Sequence, residues 1–318
     1  MRNYSHQAIR LLLGVLLALV AIYFLSRRVN WAVAAAYMRN TDPLWFGAAA
    51  LSVTFTNGFK ALRWRLLFPP DKPLPPTRQV FGALMAGQFL NFMLPLRGGD
   101  LSRAYFMGRR RGASTAAAAG TIGAEKVIDL VIFGLLFAIT LPYVVLPPNI
   151  GNPQQGAFIS AGVGFIMWLG VIIALPWAQR RLLPSLAQRW SILAAPLDIV
   201  TRLLDGLAAL RHRQRLPRLL ALSGLAWFSS ILTNVLVMEA VGAPRSWLAA
   251  ILVVIIIRAG VSVPLAPGQV GVFEALAVFA LSLTGVSFEQ GLAFAILLHI
   301  LVLGVPMIFG LIWLWRQT

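Results

Sequence analysis

The chain has 318 residues, 59% of them hydrophobic and 12% charged, and no cysteine. A mean hydropathy of +0.79 lies far above that of a soluble domain, and the missing thiols exclude disulfides, thiolate metal sites and cysteine nucleophiles. The net charge of +17 would indicate nucleic acid in a soluble protein; in so apolar a chain, topogenic arginines and anionic lipid head groups account for it, and no nucleic-acid partner is expected.

Several mostly apolar runs reach about eighteen residues or more, the length that crosses the hydrocarbon of a bilayer. They predict an all-α polytopic membrane protein with one integral membrane domain over residues 1–318 and no second globular domain. The first run, Ile9 to Leu25, is followed by Arg27 and Arg28 and lacks a small-residue cleavage site, so it reads as a retained helix. Residues 29–42 read as a short amphipathic helix on the outer face. A second spanning helix is expected from Pro43 to Leu67, with Trp45 and Trp64 as interfacial anchors. Lys60, Arg63 and Arg65 cluster at its exit, and Lys72 and Arg78 keep the following proline-rich loop basic, which places that loop in the cytoplasm.

The next stretch, QFLNFMLPLRGGDLSR, begins as a membrane helix and stops at Pro95. Gly98, Gly99 and Asp100 follow, and then a new helical run starts. It predicts a broken hairpin, with about Gln79 to Leu94 going in and Gly99 to Arg111 coming out on the cytoplasmic side. Ser114 to Val145 predicts a spanning helix with an unusual load of Glu125, Lys126 and Asp129. At 1.5 Å per residue Glu125 lies about 17 Å along that helix, near mid-bilayer, and Asp129 shares its face. An uncharged outer loop and a helix from Ala157 to Trp177 come next. Residues 178–217 form a basic cytoplasmic segment in which 197–210 reads either as an interfacial amphipathic helix or as a cytosolic helix packed on the membrane domain.

A spanning helix is expected from Leu219 to Val241. A second broken hairpin follows, Trp247 to Val263 and Gln269 to Leu283, and Phe288 to Trp315 closes the chain. The two breaks, PLRGGD and PLAPGQ, share three of six residues. Sorting the charges gives about six full spans around two re-entrant hairpins that enter from opposite faces, with both termini cytoplasmic. That is the pattern of an inverted repeat, whose substrate site lies near the midplane at the ends of discontinuous helices.

Arg97, Asp100 and Arg103 are polar groups where a spanning helix would be apolar. With the free amides of a helix N-terminus and Asp100 as its N-cap, they suit an anion such as a phosphate. The alternative is that both arginines pair with Asp100, Glu125 and Asp129 to hold the fold. Glu125, Lys126 and Asp129 extend the cluster, either as carriers of a coupling proton or as a buried salt bridge of Lys126 or Arg103 with Glu125. Arg258 and Glu274 lie on the two arms of the second hairpin, where either could face a cavity, and nothing near Arg258 in sequence neutralises it. Asn91 suits a head-group contact or helix–helix glue. His299, alone on an apolar helix, reads as a packing histidine. No nucleophile elbow, HExxH, Walker loop or acid-rich metal loop is present, so neither an enzyme nor a metal or cofactor site is expected.

Three stretches, NFMLPLRGGDLSRA, GAEKVIDL and VPLAPGQVGVFEAL, together resemble the signature motifs of the lysylphosphatidylglycerol synthase transmembrane family, over essentially the whole chain. The resemblance implies a multi-pass protein of the bacterial inner membrane related to the lipid-flipping half of multiple peptide resistance factors. It carries Asn91, Pro95, Arg97, Gly99, Asp100 and Arg103 onto the first motif and Glu125 and Asp129 onto the second. Pro264, Pro267, Gly268, Gly271 and Glu274 fall on the third. The family commonly shows Glu-Arg where this chain has Glu125-Lys126, and lysine lacks the planar fork of arginine. With no aminoacyl-transferase domain following the last helix, no lysyl-lipid synthesis is expected. The resemblance implies instead a translocase of an anionic lipid or lipid-linked intermediate. The alternative is an accessory protein that serves a separate lipid-modifying enzyme or glycosyltransferase.

Overall fold

The computed structural model describes residues 29–68, 73–93, 98–111, 115–140, 214–261 and 267–317, with the helical positions Tyr23 and Arg27. These residues form helices and connecting turns with no strand. In chain order they are α1 (Trp31–Arg39), α2 (Pro43–Leu66), α3 (Thr77–Met93), α4 (Gly98–Arg111), α5 (Thr115–Thr140) and α6 (Leu216–Ala240). Then come α7 (Trp247–Val261), a 3-10 turn Pro267–Gln269, α8 (Val272–Ser282) and α9 (Phe288–Trp315). The expected helices Ile9–Leu25 and Ala157–Trp177, the segment 197–210, and Pro95, Arg97 and Pro264 lie outside the described residues. Elsewhere the helix bounds match the sequence reading closely, because each is set by local chemistry that the sequence displays.

Two helices, α6 and α9, are long and apolar enough by length and composition to cross a membrane. α2 and α5 are comparably long, at 24 and 26 residues, but carry the buried polar groups described below. Helix starts are capped by side chains. Asn30 Oδ1 accepts from the amides of Ala32 (3.1 Å) and Val33 (3.3 Å) at α1, Asp42 from Leu44 (2.8 Å) at α2, and Ser287 from Gln290 (3.3 Å) at α9.

The chain divides into two compact units. The first comprises residues within Met1–Phe59, Gly82–Ser102 and Leu225–Thr318, the second those within Lys60–Phe81 and Arg103–Gly224. In the first unit helices meet through small residues, as in other membrane proteins, where close backbone approach replaces the hydrophobic driving force. A Cβ on Gly99 of α4 would fall 1.8 Å from the Gly87 carbonyl oxygen of α3, so the two arms of the first hairpin touch backbone to backbone. Gly82 of α3 abuts the Trp313 ring of α9, and Gly310 of α9 lies against the Met85 backbone. Gly260 of α7 makes room for the Leu276 side chain of α8. Ser52 on α2 donates to the Ser229 carbonyl oxygen (2.9 Å) and Thr233 donates to Ser52 Oγ (2.9 Å), a buried hydroxyl ladder between α2 and α6. In the second unit the α2 carboxyl end is capped by Arg215, which donates to the carbonyl oxygens of Leu66 (3.2 Å) and Phe68 (2.8 Å).

Candidate functional site

Two buried polar clusters stand out, one in each unit. In the second unit Glu125 of α5 accepts from Arg103 of α4 at 2.7 Å and lies 3.5 Å from Arg63 of α2. One turn further along α5, Asp129 takes the Arg63 guanidinium through both oxygens, at 2.7 and 3.1 Å. The Arg103 guanidinium lies over the Trp64 ring at 4.2 Å, and Trp64 Nε1 donates to Thr121 Oγ1 at 2.9 Å. Arg63, Arg103 and Glu125 are buried, and Arg63 is 0% exposed. Two guanidinium groups against two carboxylates make a set of zero net charge, the condition under which such groups persist without water.

The salt bridge expected for Glu125 is present in this geometry, and its partners are Arg103 and Arg63. Lys126 points to the exposed side of α5. Arg63 is the member that sequence reasoning missed, since beside Lys60 and Arg65 it looks like one more topogenic charge. Charge balance could have found it, because two acids on one helix face require two cations and Arg103 supplies one.

The second cluster lies in the first unit. α7 stops at Val261, and the chain resumes at Pro267 in a single 3-10 turn. Gly268 (φ 64°), Gln269 (φ 59°) and Gly271 (φ 85°) then take left-handed backbone conformations that glycine adopts without strain. Glu274, in the first turn of α8, reaches back so that its Oε2 accepts from the Gly271 amide at 2.6 Å, half of a capping box. Its Oε1 lies 2.5 Å from Nδ1 of His299 on α9. The imidazole stacks on Phe273 with ring centroids 4.2 Å apart. His299 is 4% exposed, and its Nε2 has no hydrogen-bond partner among the described residues. The reading of His299 as a packing histidine is therefore corrected. It is one half of a carboxylate–imidazole pair, hidden from sequence inspection by a separation of 25 positions.

The remaining candidates are placed as follows. Asp100 lies within the first turn of α4 and not ahead of it as an N-cap, although an acid there still complements the helix dipole. Asn91 Nδ2 donates to Asp100 Oδ1 at 3.4 Å, which bonds the two arms of the first hairpin. Gly98 begins α4, and its carbonyl accepts from Ser102 Oγ at 2.9 Å. Arg258 is half-buried, with its guanidinium 4.2 Å above the Trp227 ring.

The family model described as lysylphosphatidylglycerol synthase TM region matches residues 11–310. A curated relative, "Glycosyltransferase AglD" of Haloferax volcanii, is 24% identical over an alignment covering 93% of this chain and 53% of the relative. The chain thus spans about half the length of that relative. No solved structure matches.

Proposed function

Because the chain belongs to the lysylphosphatidylglycerol synthase transmembrane family, we propose that it moves an anionic lipid or lipid-linked intermediate between the leaflets of a bacterial cell membrane, with no covalent step of its own. The observation that carries this reading is the interrupted helix α7–α8. At 1.5 Å per residue α7 is about 22 Å long and α8 about 17 Å, both short of the ~30 Å hydrocarbon core. Their facing ends therefore lie at membrane depth, where non-helical backbone persists only if it is buried in protein or lines a wet cavity. α3 and α4 lie on either side of residues 94–97, and the close approach of Gly99 to Gly87 supports reading them as a second such hairpin.

In this reading the two hairpins enter from opposite faces within a frame of about six spans, with both termini cytoplasmic. With Arg103 engaged by Glu125, the phosphate contacts fall chiefly to Arg97 and Arg258. The Trp227 ring beneath Arg258 holds its guanidinium in place by a cation–π contact. The test is reconstitution into phosphatidylethanolamine vesicles carrying a trace of fluorescent phosphatidylglycerol, with dithionite quenching from outside. The wild type should expose the inner-leaflet probe, and Arg258→Ala should slow that exposure at least tenfold while eluting as the same monodisperse species. Probe exposure no faster than in empty vesicles would sink the proposal.

One observation favours a second reading. The relative is named a glycosyltransferase and is about twice as long as this chain, which suits a membrane region that serves a lipid-modifying enzyme or glycosyltransferase. Recovery of one such enzyme on affinity purification, together with inactive proteoliposomes, would put this accessory role first.

A further inference from the structure

We propose that Glu274 and His299 form a proton-binding site whose occupancy controls the capped turn at the start of α8; its coupling to transport rests on the reading above, whereas the site itself does not. The ligand is a proton exchanged with water, and it enters at His299 Nε2. That atom is buried, and no described group bonds to it. With neutral imidazole, Nδ1–H donates to Glu274 Oε1, and Nε2 carries an unused lone pair. Taking up one proton turns the pair into an imidazolium–carboxylate ion pair. Losing it leaves a single buried carboxylate held only by neutral donors, a costly arrangement away from water.

The same carboxylate holds the start of α8. Oε1 is on His299 and Oε2 is on the Gly271 amide, so one side chain ties the proton site to the helix cap. Gly268 and Gly271, both at positive φ, flank the segment that must bend. When the site is loaded, the ion pair holds Glu274 on the cap and the first turn of α8 stays in place. When it is empty, the unbalanced carboxylate is stabilised by hydration, which favours swinging α8 open on these two glycines. The proton returns to water on the face then exposed, and no electron moves.

Among the described residues, no other charged side chain bonds to the pair. On α9, Glu289 accepts from the Asn30 amide at 3.2 Å and lies about 15 Å from His299 along the helix, and Arg316 follows the helix end. On α7, Arg258 stacks over Trp227. α1 carries Tyr37 and the exposed Arg39, and residues 82–93 of α3, which meet α9, carry no titratable side chain. Glu239, at the end of α6, pairs with Arg245. The Arg63–Asp129 and Arg103–Glu125 pairs are made with guanidinium groups, which stay protonated, whereas the imidazole of the Glu274–His299 pair can take up a proton.

The test uses the full chain in phosphatidylcholine–phosphatidylglycerol nanodiscs with 15N-labelled histidine, the His299 signals being assigned by their loss in His299→Gln. As the pH is lowered stepwise across the range in which the chain stays folded, Nε2 of His299 should pass from unprotonated to protonated. The protection of the Gly271 amide, the intrinsic exchange rate at each pH divided by the observed one, should rise severalfold over the same steps, and in His299→Gln it should not respond. A His299 that keeps one protonation state throughout, or a Gly271 amide indifferent to it, overturns the proposal. In the vesicle assay an imposed pH gradient should change the wild-type rate severalfold and leave that of His299→Gln unchanged. Gradient-insensitive lipid movement overturns the coupling while the transport reading stands. Absence of lipid movement overturns the transport reading, and the spectroscopic arm still decides the proton site.

Discussion

Asp129 grips Arg63 through both carboxylate oxygens, at 2.7 and 3.1 Å, across 66 residues of chain. This fork is the anchor of the second unit's charged cluster, since Arg63 also reaches Glu125 at 3.5 Å and Glu125 in turn holds Arg103. Arg63→Ala leaves two carboxylates facing one guanidinium, and breaking a buried pair from one side costs about 3–5 kcal/mol. The expected result is a fall in folded yield and in the melting temperature in detergent. Arg63→Lys should recover only part of the loss, because an ammonium cannot present the planar pair of donors that Asp129 accepts. Equal stability of all three proteins would show the fork to be incidental.

Trp64 gives a finer probe of the same cluster. Its ring faces Arg103 and its Nε1–H satisfies Thr121. Trp64→Phe keeps an aromatic face but removes the donor, and should cost about 1–2 kcal/mol. Thr121→Val should cost a similar amount, and the double variant less than the sum, because the two residues share one bond. Additive losses would argue that each acts through packing alone.

Glycine positions can be sorted by what a methyl group would meet. Gly99→Ala places a carbon 1.8 Å from the Gly87 carbonyl oxygen, which only a backbone shift can relieve. The expected outcome is loss of the monodisperse species on size exclusion. Gly224→Ala, on α6 with open space around it, should be neutral or stabilising by up to about 1 kcal/mol, as for an exposed helical glycine. If both variants behave alike, the close crossing of α3 and α4 is not required for folding.

The Ser52–Ser229–Thr233 ladder supplies a stability test remote from every charged group. Interhelical hydroxyl contacts in membrane proteins average about 0.6 kcal/mol and reach about 1.7. Ser52 exchanges bonds with both partners, so Ser52→Ala should lie near the top of that range by reversible unfolding. Thr233→Ala should cost less, because it loses one of the ladder's bonds.

Much of this molecule is written locally. Pro43, Gly98, Gly268 and the Ser287 cap lie where helices start or break, and apolar runs set the lengths, so the bounds of α2, α3, α4, α6 and α9 agree with the sequence to within a few residues. The two interruptions were legible for the same reason, since Pro-Leu followed by glycine cannot continue a helix. Partners were not. Nothing in the local pattern of Arg63 separates it from Lys60 or Arg65, and nothing around His299 announces Glu274.

By itself, the sequence determined the membrane class, the helical content and the places where the described helices stop, because hydropathy, proline and glycine act within a few residues. Tertiary structure decided which charge meets which: Arg63 with Asp129, Arg103 with Glu125, and His299 with Glu274. Pairing in a low-dielectric interior depends on distances of a few ångströms between residues 22 to 66 positions apart, and only packing of the helices sets those distances.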